Sequence, residues 1–425
     1  MLTALFISFV VLLILGVPIA FSMAISSVIA LMFSSVPISI TVQRMITSID
    51  SFSLMAIPFF MLAGELMDSG GISRRMVRFA QALVGFIRGG LGMSCVVAST
   101  IFAGISGSAS ADTAAIGSIL IPSMVKAGYP KGYVASLQAC AGSLGPIIPP
   151  SLIMIIYGSI TGLSIGKLFL AGAIPGILIA LGLMVVNYWQ AKKLNIIATG
   201  KFEWRELGQS FIEAIWALIA PLIVVGGILG GVFTATEAGV IVAVYSFIVG
   251  YFIYREYSLK DIPLIFMKAA MTTSMVMIIV AGAAIFGWIL ASEQFPEIAT
   301  SWLLSLSNNP DIVMLLIIAF LIVVGCFVET IAAAIILIPV LFSIGNQFAY
   351  DPIHFATVIA MCLVLGGITP PVGVQLFITS AIARTTMRET LRYLLPFALV
   401  PWGVVLLTAY FPALAKWLPG LAFVK

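Results

Sequence analysis

Long apolar runs, most near the ~20 residues that cross a bilayer as a helix, alternate with short polar segments along almost the whole chain. They predict spans at 3–16, 19–35, 50–68, 133–160, 165–190, 212–231, 235–254, 262–292, 354–383 and 393–413. The period-two alternation of a membrane β-barrel is absent, so the expected fold is all-α. Two further apolar stretches, 92–126 and 312–348, are interrupted in the middle by Gly/Ser-rich or acidic residues. Each predicts a re-entrant hairpin of two helices and a tip. Irregular backbone at membrane depth is tolerated only where it is buried in protein or faces a wet cavity.

The interrupted segments are written twice. Residues 112–122 read DTAAIGSILIP and residues 329–339 read ETIAAAIILIP. About thirty residues after each comes a second shared signature, GPIIPP at 145–150 and GGITPP at 366–371. Two ordered matches at nearly equal separation point to an internal duplication. The repeats run over 1–190 (hairpin 92–126, broken helix 133–160) and 208–425 (hairpin 312–348, broken helix 354–383), joined by a linker at 191–207. Each has five spans and one hairpin, and the odd number of spans inverts the second copy.

Composition agrees with a polytopic membrane protein. The 425 residues are 62% hydrophobic and 8% charged, against roughly 25% charged in soluble chains. The run from Leu2 lacks the basic n-region of a signal peptide and reads as a span. With the linker (Lys192, Lys193, Lys201, Arg205) in the cytoplasm, all of the 20 Lys and Arg except Arg44, Lys167, Lys268, Lys416 and Lys425 fall inside. That is the expected bias, and it places both termini outside. The basic segment 71–89 should lie along the inner interface, and its counterpart 296–307, which has no basic residue, along the outer one. The net charge of +4 therefore reads as topology and not as nucleic-acid binding.

Candidate chemistry sits at the tips and breaks. The tip GISGSASAD (104–112) faces the break GSLGPIIPPS (142–151), and GCFVETIAA (325–333) faces GGITPPVG (366–373). Prolines remove donors from the helical ladder. The freed carbonyls, together with nearby hydroxyls, suit a hard cation such as Na⁺, and a helix N-terminus after each break suits an anion. Asp112 and Glu329 occupy matching motif positions and read either as helix caps or as functional intramembrane acids. Cys95, Cys140, Cys326 and Cys362 lie in apolar segments without a C-x-x-C pair, and His354 is the only histidine. No histidine-based metal site, catalytic triad or P-loop is present, so neither an enzyme nor a transport ATPase is expected.

The ordered set GISGSASADTAAIGSILIP, GSLGPIIPPS and GGITPPVG resembles the large membrane (M) subunit of tripartite ATP-independent periplasmic transporters over essentially the whole chain, and its look is closest to sialic-acid members. The resemblance implies an inverted-repeat elevator with scaffold and transport domains in a bacterial inner membrane. It also implies a small membrane Q subunit, a soluble periplasmic binding protein, and Na⁺-coupled import of an organic acid, either sialic acid or a C4-dicarboxylate, with no cofactor beyond the coupling ion. Carried onto this chain, one Na⁺ shell is Ser106, Gly145, Ile148 and Pro150, and the other Gly325, Gly366, Thr369 and Pro371. The substrate is expected near Ser108, Asp112, Ser151, Glu329 and Gln375. The rival readings are a stand-alone Na⁺/dicarboxylate carrier and a membrane scaffold subunit that translocates nothing.

Overall fold

A computed structural model describes residues 1–197 and 201–422; linker residues 198–200 and Lys425 lie outside the described residues. The described residues form twenty α-helices and no strand. In chain order the first half holds α1 (Leu2–Ile14), α2 (Ile19–Leu31), α3 (Ser39–Ile49), α4 (Ala56–Ser69), α5 (Ile72–Val84), α6 (Gly90–Ser106), α7 (Ala109–Lys126), α8 (Lys131–Gly142), α9 (Leu152–Thr161) and α10 (Ile165–Lys193). The second half holds α11 (Trp204–Leu229), α12 (Ala235–Ile248, continued by a π-helical turn Val249–Ile253), α13 (Ile262–Ser292), α14 (Phe295–Leu306), α15 (Pro310–Phe327), α16 (Thr330–Gln347), α17 (Pro352–Gly366), α18 (Val374–Ala383), α19 (Met387–Tyr410) and α20 (Ala413–Ala422). Seven helices are long and apolar enough to cross a membrane.

Both helix pairs α6–α7 and α15–α16 and both interrupted helices α8–α9 and α17–α18 occur where the apolar pattern expects them. Three expectations need correction. The spans 3–16 and 19–35 are helices of 13 residues each, about 20 Å long, turned back to back at Gly16. The span 50–68 starts only at Ala56, after a separate amphipathic helix α3. A last short helix, α20, follows the expected final span. Apolarity marks what can be buried, and it marks neither the ends of helices nor the short amphipathic helices that lie between and after the spans.

Packing exchanges elements between the halves. Helix α7 packs on α18 and α16 on α9; α8 packs on α19 and α17 on α10; α2 packs on α13 and α4 on α12. Each contact has a partner with the halves swapped. The charged segments likewise meet in two groups. Arg74 and Arg75 of α5 pair with Glu256 at 2.9 Å, and Arg78 pairs with Glu206 and Glu213. The hydrogen bonds that Arg78 donates to Glu206 and Glu213 raise its pKa. Elsewhere Lys416 pairs with Asp351 at 2.8 Å and the Tyr410 hydroxyl donates to the Asp311 carbonyl. Segments given one side by the charge pattern thus touch segments of the same side. The four native cysteines are buried, so Arg74→Cys on α5 and Ser305→Cys on α14 can serve as single reporters. An impermeant maleimide should reach them from opposite faces of sealed vesicles; labelling of both from one face would refute the inverted arrangement.

Candidate functional site

At the first tip, α6 ends on Ser106 and the chain reverses at Gly107, whose φ of +62° is left-handed. Glycine is the residue that takes this conformation without a Cβ clash. A Cβ at Gly107 would also lie 2.7 Å from the Pro150 carbonyl oxygen. The Leu152 amide donates to the Gly107 carbonyl at 3.3 Å, which ties the tip to the break between α8 and α9. Ser108 then caps α7, its hydroxyl accepting from the Ala111 amide.

Asp112 lies in the first turn of α7 and is fully buried. One carboxylate oxygen accepts a hydrogen bond from the Ser106 hydroxyl. The other, Oδ2, has no hydrogen-bond partner. A Cβ built on Gly145 would stand 2.7 Å from that oxygen and 2.8 Å from the Ser108 carbonyl oxygen, so the missing side chain of Gly145 leaves room in front of the carboxylate. The adjacent Thr113 hydroxyl is also buried without a partner, and a side chain on Gly142 would overlap it. Buried polar atoms are nearly always paired. Here two neighbouring oxygens are orphaned, next to Ser106 and Gly142, the C-terminal residues of α6 and α8, where helix dipoles are negative. A carboxylate, hydroxyls and helix C-termini form an all-oxygen setting that fits a hard monovalent cation.

The second tip is built differently. Gly325 and Gly366 touch backbone to backbone: a Cβ on Gly325 would lie 2.8 Å from Gly366 Cα. Glu329 is itself the cap of α16, its carboxylate accepting from the amides of Ile331 and Ala332 at 2.9 and 3.1 Å. The Thr369 hydroxyl donates to the Leu365 carbonyl at 2.7 Å. A Cβ on Gly373, where φ is +53°, would lie 3.2 Å from the Thr369 carbonyl oxygen and 3.3 Å from that of Gly367. Gln375 Oε1 is buried without a partner.

Between the two tips lies a cavity of about 70 Å³, lined by residues from the first turns of four helices. Ser108 and Ser110 come from α7, Leu152 from α9, Glu329 and Ile331 from α16, and Gln375 from α18. Each helix start presents a partial positive charge. The Glu329 carboxylate answers that of α16.

Of the residues expected at the substrate, Ser108, Glu329 and Gln375 line this cavity. Asp112 does not: it is one turn inside α7, turned toward Gly145. Ser151 does not either, because its hydroxyl donates to the Pro146 carbonyl and accepts from the Met154 amide. In the first expected ion shell, Ser106 and Gly145 converge at Asp112. Pro150 is buried against Gly107, and the Ile148 side chain packs toward Gly176 of α10. In the second, Gly325 and Gly366 are in contact, Thr369 is half-buried and Pro371 is exposed.

Motif spacing and cap spacing place the acids differently. Helices α7 and α16 begin at Ala109 and Thr330, a shift of 221 that Gly145 and Gly366 share, whereas Asp112 and Glu329 are 217 apart. Counted from the helix caps, Glu329 matches Ser108 and Asp112 matches Ala333, whereas the helix prolines Pro122 and Pro339 keep the 217 spacing of the acids. Four residues is about one helical turn, so a slip of this size keeps the same helix face and passes unseen in an apolar pattern. Thr113 and Gly142 are the residues that sequence reasoning missed as oxygen and opening; Thr113 already stood beside the acid in the duplicated motif.

Comparison with known proteins adds an independent line. The model of the family described as tripartite ATP-independent periplasmic transporter, DctM component, matches residues 6–414. The chain is 39% identical over 390 residues to the C4-dicarboxylate TRAP transporter large permease protein DctM of Pseudomonas aeruginosa, covering 92% of this chain and 91% of that one. It is 38% identical to the sialic acid TRAP transporter large permease protein SiaM of Vibrio cholerae, covering 96% and 95%. It is also 38% identical to the 2,3-diketo-L-gulonate TRAP transporter large permease protein YiaN of Escherichia coli, covering 95% and 96%.

Proposed function

The chain belongs to the DctM family of tripartite ATP-independent periplasmic transporters, and from that premise we propose that it imports an organic acid across a bacterial inner membrane, driven by Na⁺. The observation that carries this reading is the convergence of four helix starts on one cavity, flanked by tip-and-break junctions with unpartnered oxygens. Helix starts favour an anion and the junctions favour cations. Relatives named for a dicarboxylate, a sialic acid and a diketo sugar acid match at nearly equal identity. Overall similarity therefore does not choose among these acids.

In this reading the two halves are inverted repeats. Helices α6–α9 and α15–α18 form a unit that slides against a scaffold of α1, α2, α11 and α12. Helices α5 and α14 are the arms that join the two bodies. The cavity of about 70 Å³ is smaller than the ~300–1,000 Å³ of small-molecule sites, so the tips part when substrate is held. The substrate arrives on a soluble periplasmic binding protein, and a small membrane subunit docks on the scaffold.

Proteoliposomes containing the chain, its small subunit and its binding protein should accumulate acid only with an inward Na⁺ gradient. Equal uptake driven by a pH gradient in Na⁺-free buffer would defeat the coupling. A disulfide cross-link between α11 of the scaffold and α6 of the moving unit, which pack together, should stop turnover. Unchanged uptake after complete cross-linking would require a local gate in place of a sliding unit.

A further inference from the structure

A second cavity lies between α3, α9, α13 and α16 and holds about 420 Å³, within the range of sites for small organic ligands. Its polar lining is Arg44, Thr47, Ser48, Ser51 and Ser159, with Trp288 as a wall. The Ser51 and Ser159 hydroxyls stand 3.4 Å apart. The Arg44 guanidinium lies 5.4 Å over the Trp288 ring, which holds the cation in place without neutralising it. No carboxylate lines this cavity. The opposite end of the molecule differs. A cavity of about 420 Å³ reaches Ser108 and Ser110 past Glu65 and Asp68, and no Lys or Arg lines it.

We propose that the Arg44 cavity is an outer receiving site for the carboxylate of a hydroxyl-bearing organic acid, placed before the site between the helix tips. The proposal rests on the importer reading, with Arg44 on the outer face. A guanidinium grips a carboxylate with two parallel hydrogen bonds. Thr47 and Ser48, which donate to the Gln43 and Met45 carbonyls, offer acceptor lone pairs to a ligand hydroxyl, and the Ser51–Ser159 pair keeps one proton to donate. Helices α9 and α16 form part of this cavity and also start at the helix-tip site, so they give the acid a continuous wall to follow. An anion meets a cation on the outer side and, on the inner side, the carboxylates of Glu65 and Asp68, the first of them with Lys268 in its neighbourhood. The charge pattern does not set the final gradient, which coupling fixes. It lowers the concentration needed for capture outside and weakens recapture inside.

The test uses the full chain, in detergent and in proteoliposomes with its partners. N-acetylneuraminate or malate should change Trp288 emission, read as the difference from Trp288→Phe. Arg44→Gln should lose the response, and Arg44→Lys should keep a weaker one. In transport, Arg44→Gln should raise the external KM about 10–100-fold, the loss of one charge-assisted contact, while kcat and Na⁺ dependence stay the same. Arg44→Glu should raise it further. A KM within twofold of wild type in both variants would overturn the proposal. So would a Trp288 response to anionic lipid vesicles with none to the free acids. The emission change needs no transport, so a protein that responds but does not accumulate acid would count against the importer reading and not against this site.

Discussion

Asp112→Asn should abolish most of the Na⁺-dependent stabilisation of the purified chain. The carboxylate is fully buried, one oxygen is held by Ser106, and the other faces the opening at Gly145 with no partner. An uncompensated buried ion costs several kcal/mol, so a cation entering this space gains the whole of that relief. Asparagine keeps the shape and an acceptor for the Ser106 hydroxyl but removes the charge. A ligand present at 100 times its Kd stabilises by about 2.7 kcal/mol, and that increment should nearly disappear, together with Na⁺-driven uptake. The measurement is the melting temperature against NaCl, with choline chloride at equal ionic strength. A variant melting curve that still rises with Na⁺ as in wild type would sink the assignment.

Gly366→Ala should have the next largest effect. At this point hairpin α15–α16 and the break after α17 touch through Gly325 and Gly366, and an added methyl would overlap the Gly325 backbone. The obstacle is backbone, so no rotamer change relieves it. Overpacking of this kind costs about 1–3 kcal/mol, and here it also pries a tip from its break. Uptake should fall at least tenfold. Gly64→Ala and Gly403→Ala, where a Cβ meets nothing within 4 Å, should behave as wild type. Equal uptake by Gly366→Ala and these controls would remove the junction from the transport machinery.

The sequence carried much of this architecture because its strongest signals are physical obligations. Glycine and proline at 104–107, 145–150 and 366–373 had to interrupt helices, and those interruptions became the tips and breaks. Fine register was less legible. In a run such as AAIGSILIP the pattern repeats almost every turn, so Asp112 aligned with Glu329 although Ser108 occupies the equivalent capping position. Ser151 looked available because a hydroxyl beside a break can face either way; its bonds to Pro146 and Met154 are set by backbone geometry that composition does not encode. Helix α3 was missed because it is a short amphipathic helix in the gap between two expected spans, and with it the position of Arg44 beside Trp288. That pairing joins residues far apart in the chain and leaves no local trace.

The exchange of helices between the halves has a consequence for how the protein is made. Helix α7 finds α18, and α9 finds α16, only after most of the second half has been synthesised. At about 5–20 residues per second, the first hairpin waits roughly 10–50 s with its tip serines, Ser108 and Ser110, lacking the neighbours they meet across the cavity. During that interval its polar atoms must be shielded by the insertion machinery, by a chaperone or by transient contacts with the lipid headgroups. A chain truncated before α16 should therefore be degraded in the membrane instead of persisting as a folded half, and co-expression of the two halves as separate polypeptides should rescue both.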